Sequence, residues 1–189
     1  MNVQLRNLLV LFLLAFPAAQ ARADEYSDTI DVFRKSGESG QFFGKSYGYA
    51  VLPTVGKGGF VIGGAHGKGR VYARGAYVGD TSMTQLTVGL QLGGQAYSQI
   101  IFFEDKRAFD EFTSGNFEFG AQATAVAITA GASAQAGTTG PSASAGSSQH
   151  SSKTKASYYR GMAIFTVAKG GLMYEASIGG QKFTYDRKK

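Results

Sequence analysis

Hydrophobic positions between Glu25 and Lys35 recur with helical spacing. Tyr26, Ile30 and Phe33 fall at i, i+4 and i+7, while Asp28, Asp31 and Lys35 occupy other faces, so an amphipathic N-terminal helix is expected. A second short amphipathic piece is expected through Ser39 to Lys45, with Phe42 and Phe43 as its large apolar residues. From Tyr47 onward the period shortens and glycines punctuate it. Tyr49 to Thr54, Gly59 to Gly64, Arg70 to Val78 and Met83 to Leu92 read as extended segments separated by glycine turns. In the fourth, Leu86, Val88, Leu90 and Leu92 alternate with Thr87, Gly89 and Gln91, which predicts a half-buried strand with its apolar face inward. Tyr97 to Phe103 ends in Ile100-Ile101-Phe102-Phe103, a continuous apolar run that predicts a strand covered on both faces.

Helical spacing returns once. Asp105 to Thr113 carries the stripe Ala108, Phe109 and Phe112, with Asp105 as N-cap and Gly115 as terminator. Phe117 to Ile128 then alternates, with Phe117, Phe119, Ala121, Ala123, Ala125 and Ala127 on one face. Alanine is a poor strand former, so this ladder reads as close packing against bulky neighbours. Its alternative is a groove for an acyl chain or another apolar ligand. Residues Gly131 to Lys155 offer almost nothing to bury, which predicts a long mobile loop. Strands are expected again over Tyr158 to Ala168, Leu172 to Ile178 and Gln181 to Tyr185. Together these elements predict an α+β protein whose antiparallel, β-rich core is a sheet or partly closed barrel, with one N-terminal and one short later helix.

The first 23 residues read as a signal peptide. Arg6 precedes the apolar run Leu8 to Phe16, Pro17 ends it, and Ala21-Arg22-Ala23 supplies a small-x-small cleavage pattern before Asp24. A cleaved, exported protein, periplasmic or secreted, is therefore expected, with residues 24–189 as one domain. There is no cysteine, so neither disulfides nor a thioether lipid anchor is available. The formal charge of +6 includes Arg6 and Arg22 of the leader, so the mature surplus is modest. In an exported chain it points to an anionic lipid or envelope polymer before nucleic acid.

No catalytic constellation emerges. Gly40-Gln41-Phe42-Phe43-Gly44-Lys45-Ser46 is one residue short of a phosphate loop, and Gly67-x-Gly69 has Tyr72 where a dinucleotide fingerprint needs glycine. No nucleotide, cofactor or metal is expected, since His66 and His150 are the only histidines and no cysteine could join them. What remains is basic residues beside glycines and aromatics: Lys57, Lys68 and Arg70, then Lys169, with Arg34, Lys35 and Lys45 flanking the N-terminal amphipathic region. Gathered at one end of a sheet, such charges would hold phosphate groups.

Three blocks resemble the SYLF domain family, a lipid-binding module of bacterial envelope proteins and eukaryotic membrane-trafficking and actin-patch adaptors. They are Tyr47 to Val71 (YGYAVLPTVGKGGFVIGGAHGKGRV), Leu86 to Ala130 with its Gly89-Leu90-Gln91-Leu92-Gly93-Gly94-Gln95, and Ala163 to Tyr185 around Ala168-Lys169-Gly170-Gly171-Leu172. Where the family often has Trp-Pro, this chain reads Tyr77-Val78-Gly79-Asp80-Thr81-Ser82. The resemblance implies anionic-phospholipid binding through basic residues and an N-terminal amphipathic helix, with Lys57 and Lys68 carried over as head-group contacts. Arg34, Lys35, Lys45 and Arg70 join them by charge and neighbourhood. The competing class is an outer-membrane β-barrel, which the leader, the alternating strands and the abundant glycine and tyrosine also suit.

Overall fold

Glycine does not break the strands of this protein; it lets them cross closely. The structure, a computed structural model, describes residues 21–59, 62–88, 95–121, 123, 125–128, 157–169 and 178–189. The expectations for the leader up to residue 20, for Leu90 and Leu92, for 131–155 and for most of Leu172 to Ile178 lie outside these residues. Four long strands follow one another: β1 (Gly48–Gly59), β2 (Ile62–Ala73), β3 (Ala76–Val88) and β4 (Gln95–Phe103). Gly63, Gly64, Gly67 and Gly69 lie inside β2, not in turns. The segment expected from Arg70 to Val78 instead contains a hairpin. Arg74 and Gly75 both have positive φ, 50° and 82°, the conformation that a tight turn between twisted strands demands.

Helix α1 (Ala21–Lys35) and a 3₁₀ turn (Gly40–Phe42) precede the sheet, and α2 (Lys106–Phe112) follows β4. The Asp105 side chain caps α2 by accepting the Ala108 N–H at 2.8 Å, as its sequence indicated. Then come β5 (Phe117–Glu118), β6 (Val126–Ile128), β7 (Met162–Lys169) and β8 (Gln181–Arg187). Among the described residues these strands form one sheet in the order β5-β8-β3-β2-β1-β4-β7-β6, antiparallel throughout except for β6 beside β7. It curls into a half-barrel.

The alanine ladder is not one strand. Phe117 pairs with β8 at one edge of the sheet and Val126 with β7 at the other. Ala123 is buried and Ala127 exposed, so among the described residues the ladder does not share one apolar face.

Alternation along each strand sorts the side chains into two layers. The inner face packs Leu52, Val55, Met83, Ile101, Phe103 and Phe183 against Phe112 of α2 and Phe119. The outer face packs Val51, Ile100, Phe102 and Phe165 against Ile30 and Phe33 of α1 and Phe42 of the 3₁₀ turn. Ile100 to Phe103 are fully buried because both layers use them. Each buried apolar side chain contributes about 1.5–3 kcal/mol, so α1 is anchored chiefly by Ile30 and Phe33. Leu86 departs from expectation: it pairs with Gly64 on the outer face and is 84% exposed, while Thr81, Met83 and Gln85 turn inward.

Gly48 sits where β1 passes against β2, and a β-carbon there would strike the Tyr72 carbonyl oxygen. Gly48→Ala should therefore lower stability by about 1–3 kcal/mol. Gly56, on the same strand with open space around it, serves as the control. Gly56→Ala should leave the urea midpoint unchanged or slightly raised; equal losses at the two sites would contradict the close-crossing explanation.

Candidate functional site

Cross-strand partners share a face of the sheet, so register places each basic residue. Arg70 pairs with Val51 of the outer layer and with Asp80, and Lys68 pairs with Thr54 and Ser82 two positions along. Both cations therefore stand on the outer face of β2. Lys57 does not join them. It pairs with Ala65 of the inner layer, and so faces the other side of the sheet. None of the three lies in a glycine turn, and the convergence expected of Lys57, Lys68 and Arg70 reduces to the last two. The remaining candidates lie at the α1 end of the outer face. Arg34 is 3.8 Å from Asp31 and stacks 5.0 Å over the Phe43 ring, while Lys35 and Lys45 are exposed. Among the described residues, Lys68 and Arg70 form no ion pair, and neither do Lys35, Lys45 and Lys57.

A line of aromatic rings ties these cations together. Phe43 meets Tyr49 edge-on at 5.2 Å, Tyr49 stacks on Tyr72 at 5.0 Å, and Tyr72 lies 5.9 Å from Tyr77. Arg34 caps one end. At the other, the Arg70 guanidinium lies 4.2 Å from the Tyr26 ring centre and 5.2 Å from that of Tyr77, and Lys188 sits 4.7 Å over Tyr77. Such stacking orients a guanidinium while leaving its N–H edge able to donate. Tyr77 donates to Asp80 at 2.8 Å, and loss of solvation with that hydrogen bond pushes its phenol up to about 12. Burial raises Tyr49 and Tyr26 as well. Tyr77, Tyr49 and Tyr26 therefore stay neutral at physiological pH and add no negative charge to the strip. Sequence reading missed Tyr49, Tyr72, Tyr77 and Lys188 as partners; the i, i+2 spacing of Lys68, Arg70 and Tyr72 was the available signal.

The inner face holds a second polar group. Gln99 and Gln181 exchange side-chain hydrogen bonds at 2.9 and 3.2 Å, and Gln181 also donates to the Tyr97 hydroxyl at 3.1 Å. Both glutamines are fully buried. The cluster satisfies itself and joins β4 to β8 across the inside of the half-barrel, a structural role. A separate open cleft of about 560 Å³ is lined by His66, Thr84, Leu86, Lys182 and neighbours, with Lys182 held 3.5 Å from Glu118. Among the described residues, no three histidine, aspartate or glutamate side chains gather as metal ligands would.

Comparison with known proteins defines the class. The model of the family described as Ysc84, Las17-binding protein actin regulator, matches residues 84–189. The chain belongs to this Ysc84 (SYLF) family. A curated relative, beta cell expansion factor A of Aeromonas veronii, is 30% identical over 162 residues, covering 84% of this chain and 53% of its own. The chain thus spans about half the length of that relative. The family match begins at Thr84, after all six candidate basic residues, so their roles rest on their geometry here.

Burial pushes the Tyr97 phenol from its ordinary 10.0 up to about 12. The folded state therefore holds this proton more tightly than the unfolded chain. Its contribution is fully present below about pH 10 and is lost as pH rises towards 12. The urea midpoint should fall over that window, and Tyr97→Phe should make the fall shallower. Identical slopes in the two proteins would show that Tyr97 does not titrate with folding.

Proposed function

We propose that this protein is an exported module that binds anionic phospholipid or a similar envelope lipid through the outer face of its sheet. The observation that carries the reading is the pair Lys68 and Arg70, two residues apart on one strand face, without ion partners among the described residues and beside the aromatic strip. Arg34, Lys35 and Lys45 extend the basic region towards the end of α1, and Lys57 has no part in it. Long-range attraction to a charged leaflet needs only that the cations share a surface, and each contributes roughly 1 kcal/mol near it.

Export is part of the proposal and rests on the leader pattern before Asp24. Glu25 and Tyr26, whose side chains contact Thr54 and Arg70, lie after the expected cleavage point before Asp24. The outer face of β3 carries Asp80, Ser82 and Thr84 before the exposed Leu86, and α1 packs over the outer layer through Ile30 and Phe33, where a lipid-embedded barrel would show a continuous apolar band. That favours attachment to a membrane surface over insertion as a barrel. The family's printed description as a Las17-binding actin regulator concerns other members. For an exported chain, lipid is the partner this surface suits.

Sedimentation with vesicles of phosphatidylglycerol and phosphatidylcholine tests the proposal. Binding should fall steeply with salt, because the attraction decays over about 8 Å at physiological ionic strength. Lys68→Gln with Arg70→Gln should weaken it by roughly ten- to thirtyfold, two contacts of about 1 kcal/mol each. Pure phosphatidylcholine should bind poorly throughout. Salt-insensitive binding, or a double variant that binds like wild type, would overturn the basic-surface mechanism.

A further inference from the structure

The turn of α1 that holds Glu25 and Tyr26, its first turn once the chain begins at Asp24, brings an anion onto the basic face. The Thr54 hydroxyl donates to Glu25 Oε1 at 2.9 Å, and Lys169 Nζ lies 3.5 Å from the same oxygen. Lys169 Nζ also donates to Thr54 Oγ1 at 2.6 Å. The two groups come from β1 and β7, the strands on either side of β4, and Lys169 pairs with Ala96, which in turn pairs with Gly56 two positions past Thr54. An ammonium and a hydroxyl aimed at one oxygen make a place for an oxyanion. One residue further along the helix, the Tyr26 ring covers the Arg70 guanidinium at 4.2 Å.

The resident carboxylate is loosely held. The Lys169 and Glu25 side chains are 40% and 53% exposed, and ion pairs in that setting contribute little. Helix α1 is fixed further along, by Ile30 and Phe33. Its first turn can therefore lift without unseating the rest.

We propose that Thr54 and Lys169 form an oxyanion site whose resident is Glu25, and that a phosphate group displaces Glu25, releasing the first turn of α1 and uncovering Arg70. The ligand class is a phosphate mono- or diester, supplied by a lipid head group or as free phosphate. The membrane role of this site rests on the reading of the outer face given above; the site itself does not. Thr54 and Lys169 reach the same face as Lys68 and Arg70, so displacement would add Lys169 to the surface offered to phosphate and free the side of Arg70 that Tyr26 covers.

Two variants of the full mature chain, Glu25→Gln and Lys169→Gln, test this, with circular dichroism confirming that each is folded. Amide hydrogen exchange at residues 28 and 29, whose acceptors are carbonyls 24 and 25, should run at least threefold faster in Glu25→Gln than in wild type without any ligand, while exchange over residues 30–35 stays the same. Glu25→Gln should bind phosphatidylglycerol-containing vesicles two- to fivefold more tightly, and Lys169→Gln more weakly. In wild type, those vesicles should accelerate exchange at 28 and 29 and pure phosphatidylcholine should not. Acceleration by inorganic phosphate alone would identify free phosphate as sufficient; acceleration by vesicles alone would identify the head group. Both outcomes support the site. Unchanged exchange and unchanged affinity in Glu25→Gln, with wild type binding the vesicles normally, overturns it. Failure of wild type to bind vesicles, with faster exchange in Glu25→Gln and a response to inorganic phosphate, would instead remove the membrane reading and keep the oxyanion site.

Discussion

A single irregularity in β1 decides which charges face the same way. Between Val51 and Thr54 this strand carries one residue more than either neighbour: Val51 and Thr54 pair with Arg70 and Lys68 on β2, and Leu52 and Val55 with Gln99 and Tyr97 on β4. Pro53 lies within the extra step. Proline cannot donate to a ladder, and a bulge is where a central strand accommodates it. Its carbonyl accepts the Ser98 hydroxyl at 2.7 Å, which holds the bulge in place. Past the bulge the alternation inverts. Thr54 turns outward to meet Glu25 and Lys169, Val55 turns into the core, and Lys57 is carried to the inner face. Regular pairing would have put Lys57 on the outer face, opposite Gly64, and left Thr54 inside.

That constraint explains what was legible in the residues and what was not. Local signals were sufficient for α1, for the capped α2, and for Ile100 to Phe103, whose burial on both faces follows from a run with no polar alternate. The antiparallel, β-rich class and the family were legible as well. The face on which a side chain lies is a non-local property. It depended on the bulge at Pro53, on a second register shift between Val71 and Tyr72, and on glycines that serve close strand crossing. Leu86 shows the same limit: its alternation was real, but the inward positions of β3 belong to Thr81, Met83 and Gln85. The alanine ladder misled because period two describes a single strand equally well as two short ones at opposite edges of a sheet.

The two faces divide the work of the sheet. The inner layer is mainly apolar, with Thr81, Gln85 and the mutually bonded Gln99 and Gln181 as buried polar members, and it contributes stability. The outer layer buries its apolar residues beneath α1 and the 3₁₀ turn; beyond them lie Lys68 and Arg70, the exposed Leu86, and the ring strip between Arg34 and Lys188. Exposed cations of this kind add little to folding, so their arrangement is free to serve binding. Helix α1 belongs to both layers of the account: Ile30 and Phe33 complete the core, while Glu25 and Tyr26 sit on the surface that the cations present.

On the proposed function, the outer face of the sheet, and not the inner, meets the membrane. Because the chain has no cysteine, single Lys68→Cys and Lys57→Cys variants can each carry one environment-sensitive fluorophore. On phosphatidylglycerol-containing vesicles, the label at position 68 should be quenched by a lipid-borne quencher and the label at position 57 should remain accessible to an aqueous one. Equal lipid quenching at the two positions, or stronger quenching at 57, would contradict the assignment of the binding face.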